Sequence, residues 1–257
     1  MPVWLPLAVA AAYGLVLGSF LNVVIHRLPR ELSLVRPRSH CPQCEALIRW
    51  FDNVPLLSYL ILRARCRACG ARISARYPLV ELANGALLAA CIWRFGLTVE
   101  GVQAVVLVEL LLPLAIIDLE HHLLPDWLTL PGLVAGLGFS FFGGLATMAD
   151  AVAGALLGAA IPLAVMVLYR ALRGVEGMGL GDVKLLAMIG AFLGWQGALL
   201  SLCLGACAGA LVGIGLIAGG RGKRDTELPF GSFLAAAAVA VLFAAPWLLR
   251  VLGWVPA

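Results

Sequence analysis

Eight apolar stretches separated by polar intervals make up most of this chain: residues 3–25, 79–95, 97–117, 128–142, 149–169, 183–195, 197–218 and 230–249. About 20 predominantly apolar residues in helical conformation cross the hydrocarbon core of a bilayer. The fourth and sixth stretches fall short of that length. The pattern predicts an all-α polytopic membrane protein of about eight transmembrane helices. The composition agrees: 62% hydrophobic residues, 12% charged residues and a mean hydropathy of +1.00 exclude a soluble domain with an ordinary surface.

One interval differs from the rest. Residues 26–78 are polar and Arg-rich and long enough to fold outside lipid. Three parts are therefore expected: a first transmembrane helix (1–25), a small domain inserted after it (26–78) and a core of about seven helices (79–257). With the amino terminus outside, sixteen of the eighteen Lys and Arg fall on one side, leaving Arg94 and Arg250 on the other. Loops rich in these residues stay in the cytoplasm, which places the inserted domain there. The same split accounts for the net charge of +4 without any nucleic acid partner. The first stretch has no basic region before its apolar run and continues past Ala10, so it reads as an anchor and not as a cleaved signal.

The inserted domain carries Cys41-Pro42-Gln43-Cys44 and Cys66-Arg67-Ala68-Cys69. Two CxxC pairs at this separation suit a tetrahedral structural zinc site, each pair giving two thiolates from a tight turn. Two disulfides are the rival reading, disfavoured in a compartment that keeps thiols reduced. A redox CxxC would want a strand and helix around it. Zinc fits a structural need as well, since some 50 residues with few large apolar groups require a staple. Cys91, Cys203 and Cys207 lie within apolar stretches and read as small packing residues.

Asp118 and Asp182 each stand where an apolar run meets a polar loop, and an ionisable group at membrane depth is a functional candidate by default. The topology puts both at the cytoplasmic side. Two carboxylates that share a site repel, so one stays ionised as a base while its neighbour keeps a proton and polarises a carbonyl. Gly177, Gly179 and Gly181 precede Asp182 closely; they permit unusual backbone angles and let an extended substrate strand approach. The bland alternatives are a helix cap for Asp182 and an interfacial position for Asp118. For the two together, catalysis is preferred.

Glu120, His121, His122 and Asp126 crowd the region after Asp118. Adjacent histidines diverge by about 100° on a helix, and no HExxH occurs, which counts against a zinc metalloprotease. These four read mainly as loop residues. Glu120, Asp126 and Glu176 are nevertheless well placed to attract a basic substrate segment. Lys184 reads as a cytoplasmic anchor. No GxSxG is present, nor a Ser or Cys with an evident base. The Gly and Ala richness of the last four stretches suits close helix packing in lipid.

Several blocks then resemble one family from end to end. They are Gly18-Ser19-Phe20-Leu21-Asn22-Val23-Val24-Ile25-His26-Arg27-Leu28-Pro29, the two CxxC pairs, Asn53-Val54-Pro55-Leu56-Leu57-Ser58-Tyr59, Arg76-Tyr77-Pro78-Leu79-Val80-Glu81, residues 118–126, residues 179–184 and Pro229-Phe230-Gly231. The chain resembles bacterial type IV prepilin peptidases, multi-pass proteins of the bacterial inner membrane serving pili or type II secretion. The resemblance implies that Asp118 and Asp182 are the catalytic pair. It implies removal of a short basic leader from prepilins and pseudopilins after a glycine. For many members it also implies methylation of the new amino terminus with S-adenosylmethionine. Nothing in the chain resembles a Rossmann-type nucleotide fold, so the methyl donor rests on resemblance alone. Many relatives have Gly-Lys before the second CxxC where this chain has Ala64-Arg65.

Two other classes are weighed beside it. An ion-coupled transporter would favour acids at the midplane and internal repeats, which are not seen. A GxGD intramembrane protease of other substrates, without methyltransferase activity, would share the aspartates but lack the two CxxC pairs.

Overall fold

The computed structural model describes residues 2, 4–174, 179–220 and 228–251. The described residues are mainly helical and fall into two compact units, Met1–Leu97 and Thr98–Ala257. Among the described residues, each of the eight apolar stretches lies mostly on a helix. Among the described residues, five helices are long and apolar enough to cross a membrane, and the chain is a multi-pass membrane protein.

The first unit pairs α1 (Trp4–Arg27) with α3 (Arg76–Phe95). Their backbones touch through glycine: a Cβ on Gly14 would stand 2.8 Å from Gly85 Cα, and one on Gly18 would stand 2.7 Å from Glu81 Cα. Small residues are how helices approach closely where lipid provides no hydrophobic drive between them. Side-chain amides then reach across, Asn84 Nδ2 donating to Gly14 O at 2.9 Å and Asn22 Nδ2 to Tyr77 O at 3.1 Å. Arg27 closes α1 by donating to Ser33 O and Pro37 O, which fixes the exit of the chain. Short α2 (Leu57–Ile61) is anchored to α3 where Leu56 N donates to the buried Glu81 carboxylate at 2.9 Å.

The second unit contains α4 (Val99–His121), α5 (Asp126–Ser140), α6 (Met148–Arg173), α7 (Leu180–Ala218) and α8 (Phe230–Val251). At 39 residues α7 is too long for one crossing, since each residue adds about 1.5 Å. It is broken at Gly194, where φ of 72° and ψ of 178° leave the helical region. The break falls at the end of the sixth apolar stretch, just before the seventh. It also frees carbonyls, and the fully buried Gln103 of α4 serves one: its Nε2 donates to Phe192 O at 3.0 Å while its Oε1 accepts from Leu145 N at 2.7 Å. A helix break in a membrane persists only where freed backbone groups find such partners. Gly154 of α6 and Gly190 of α7 face each other so closely that a Cβ on either would collide with the other's backbone.

Helix ends depart from the apolar boundaries. The third stretch stops at 117 but α4 runs on to His121, with His122 N donating back to Asp118 O at 2.9 Å as the C-cap. Glu120 and His121 are therefore on the last helical turn and Asp126 is the first residue of α5, not loop residues as the sequence suggests. Helical hydrogen bonds continue past the lipid edge, where hydropathy carries no signal.

Candidate active site

Asp118 sits in the last turn of α4 and Asp182 in the first turn of α7, and both are buried, at 5% and 9% exposure. They are close enough for their charges to interact. Two like carboxylates in one buried place are the arrangement that keeps one protonated beside an ionised neighbour. His122 adds a further charge interaction with Asp118.

Gly179 is the N-cap of α7 and its carbonyl accepts the Asp182 backbone N–H at 3.2 Å, while the Gly179 N–H acts on the charge of the Asp182 carboxylate. Among the described residues, the glycines before it, Gly179 and Gly181, do not take left-handed backbone angles. Gly179 has φ of −81° and ψ of 150°, which any residue adopts, and nothing crowds its missing side chain. Gly181 lies against Leu124, whose Cβ would be 2.9 Å from a Cβ there. Glu176 and Gly177 lie outside the described residues.

The start of α8 completes the surroundings. A Cβ on Gly231 would stand 2.8 Å from Leu124 Cδ1 and 3.1 Å from Asp118 Cγ. Ser232 donates to Asp118 Oδ2 from its backbone N at 2.6 Å and from its hydroxyl at 3.0 Å. The sequence singles out neither Ser232 nor Leu124. The block Pro229-Phe230-Gly231 stops one residue short of Ser232, and no local pattern brings α8 to α4.

Of the acids expected near the site, Asp126 accepts both bonds of an ion pair with Lys184. Glu120 lies 4.0 Å from His121 Nε2.

In the first unit the four cysteines converge. Their sulfur atoms lie within 4.8 Å of one another, Cys41 and Cys69 at 3.9 Å, and all are free thiols. A metal bonded at about 2.3 Å to four tetrahedral sulfurs spaces them by about 3.8 Å, so the cluster can hold a metal ion. Each pair is a knuckle of the same design. Cys41 N donates to Ala46 O and Ile48 N to Ser39 O; twenty-five residues on, Cys66 N donates to Ala71 O and Ile73 N to Ala64 O. Backbone N–H groups of Cys69 and Ala68 hold the Cys66 thiol down to about 7, readying it as a thiolate.

Comparison with known proteins follows the same division. The family described as the bacterial peptidase A24 N-terminal domain matches residues 12–95, and the type IV leader peptidase family matches residues 105–214. A prepilin leader peptidase/N-methyltransferase of Myxococcus xanthus (strain DK1622) is 50% identical over 222 residues, covering 83% of this chain and 64% of the relative's length. One of Burkholderia pseudomallei (strain 1026b) is 42% identical over 268 residues, with 95% and 87% covered. One of Pseudomonas putida is 42% identical over 274 residues, with 95% of each covered. No solved structure matches. The chain belongs to the type IV leader peptidase family.

Proposed function

We propose that the protein is an aspartyl endopeptidase of the bacterial inner membrane that removes the leader from type IV prepilins and type II secretion pseudopilins and then methylates the new amino terminus. The observation that carries this reading is the buried pair Asp118 and Asp182 on two membrane helices, in a chain of this family.

The chemistry asked of the pair is hydrolysis. One carboxylate takes a proton from water as the water oxygen bonds to the scissile carbonyl carbon. The neighbouring carboxyl gives its proton to the carbonyl oxygen, and a tetrahedral diol forms. As the C–N bond breaks, the leaving nitrogen takes the first proton and a diol hydroxyl returns the second. Gly179, whose missing side chain nothing crowds, leaves room for an extended strand beside the dyad. Glu120 and Asp126 are positioned to attract the Lys and Arg of a leader, which reaches the site from the cytoplasmic side; the charge bias of the loops supports that orientation, with the amino terminus outside.

Cys41, Cys44, Cys66 and Cys69 are proposed to hold one structural zinc, which supplies folding energy to residues 26–78 when bound. For methylation, S-adenosylmethionine supplies the methyl group. A cavity of about 400 Å³ in the first unit, with Phe20, Arg27, Arg38, Ser39 and Asn53 in its wall, lies in the volume range of small-molecule sites. Those side chains offer an apolar face and cationic and amide donors to such a ligand.

The test is direct. Purified protein is incubated with a pilin precursor and, separately, with an unrelated single-span membrane protein, each with a labelled methyl donor. Leader removal and label incorporation are expected for the precursor alone. Equal cleavage of both supports the broader intramembrane protease, and cleavage of neither overturns the peptidase reading.

A further inference from the structure

We infer that Ser232 is a positioning residue for Asp118, holding that carboxylate as the ionised, water-activating member of the pair and leaving Asp182 to carry the proton. The inference rests on the aspartyl reading above and gives its two carboxylates different roles.

Ser232 is the third residue of α8. Its backbone N–H and its hydroxyl both meet one atom, Asp118 Oδ2, at 2.6 and 3.0 Å. Two donors on one carboxylate oxygen stabilise the charged form, and the first turn of a helix adds N–H groups with no helical acceptor and a partial positive charge. Among the described residues, one backbone N–H, that of Gly179, acts on the charge of Asp182. The other groups acting on Asp118 are Asp182 from α7 and His122 at the end of its own helix. Asp126 is already occupied by Lys184. The donors are therefore unequal, and the inequality favours charge on Asp118.

The hydroxyl has a second acceptor. Ser232 Oγ lies 2.7 Å from Ala115 O, one turn back along α4, and it has a single proton to give. While Asp118 is a carboxylate, that proton belongs on Oδ2. When Asp118 has taken a proton from the attacking water on its other oxygen, Oδ2 becomes a weaker, neutral acceptor and the hydroxyl can turn to Ala115 O. One side chain thus suits both states of the base with no backbone movement. Ala at this position keeps the N–H but loses the rotor; Thr keeps both.

The experiment uses the full-length protein with its metal, as Ser232→Ala, Ser232→Thr and Asp118→Asn, cleaving a pilin precursor. For Ser232→Ala, kcat falls at least about 10-fold with KM within about 2-fold, the loss expected of one hydrogen bond to a charged group made in the transition state. Ser232→Thr restores kcat to within about 3-fold of wild type. Thermal midpoints and metal content stay at wild-type values in both. A Ser232→Ala enzyme at wild-type rate, with Asp118→Asn inactive, overturns the inference and leaves the dyad standing. So does a folded Ser232→Thr enzyme as slow as one lacking the hydroxyl. Cleavage by Asp118→Asn overturns the aspartyl reading itself, and the inference with it. Should Ser232→Ala fail to fold, Ser232→Gly, which also keeps the N–H and lacks the hydroxyl, takes its place with the same expected and overturning results.

Discussion

Lys184 Nζ stands 2.7 Å from Asp126 Oδ1 and 2.9 Å from Oδ2, joining the fifth residue of α7 to the first residue of α5. The sequence reads Lys184 as a cytoplasmic anchor and Asp126 as an acid placed to attract a basic leader. The pair couples those two roles. Its members are 35% and 53% exposed, so its contribution to stability is at most about 1 kcal/mol, and its effect is on the field beside the dyad.

Breaking the pair from either side should move substrate binding in opposite directions. Lys184→Gln leaves Asp126 uncompensated, and KM for a basic leader is expected to fall about 2- to 5-fold, the span of an exposed charge interaction. Asp126→Asn leaves the Lys184 cation uncompensated and raises KM by a similar factor. Changes in kcat stay smaller, and both effects shrink as salt is raised, since exposed charges are screened over about 10 Å at 0.1 M. KM shifts of the same sign in the two variants count against leader reading by Asp126.

The cysteine cluster should bind one zinc per chain, measured by elemental analysis of protein purified under reducing conditions. Since metal binding supplies the folding energy of such a small module, single Cys→Ser changes at 41, 44, 66 or 69 should expose residues 26–78 to proteolysis first. Leader cleavage should be affected less. Zinc-free protein that resists proteolysis, or intact disulfides within the two CxxC pairs in cells, contradicts this.

The two knuckles also differ at matched positions. Glu45, just after Cys44, has φ of 56°, and Gly70, just after Cys69, has φ of 73°. Left-handed backbone suits glycine and costs other residues roughly 1 kcal/mol. Gly70→Ala should therefore destabilise the module by about 1 kcal/mol and hasten zinc loss to a chelator. Glu45→Gly should be neutral or slightly stabilising. Faster zinc loss from Glu45→Gly than from Gly70→Ala would show that the knuckles are not equivalent.

Much of this was legible from residue order. Hydropathy located the eight helical stretches because a lipid-facing helix leaves a continuous apolar run. The two CxxC pairs announced their cluster because each is a local turn. Asp118 and Asp182 stood out because charge at the edge of an apolar run is rare. What depended on tertiary contact was hidden. The last turn of α4 lies beyond the apolar run and reads as loop. Ser232 is an ordinary polar residue until α8 brings it to Asp118. Gln103 matters because Gly194, ninety-one residues away, breaks a helix beside it. The glycines at 179 and 181 were visible, but the packing of Gly181 against Leu124 was not.

The central claim is that Asp118 and Asp182 together perform the cleavage. Asp118→Asn and Asp182→Asn keep shape while removing the proton chemistry, and neither aspartate has an ion pair among the described residues. Leader removal from a pilin precursor, followed by gel shift for wild type and both variants at matched expression and thermal midpoint, measures it most directly. The expected result is complete processing by wild type and none by either variant; normal processing by either folded variant contradicts the assignment.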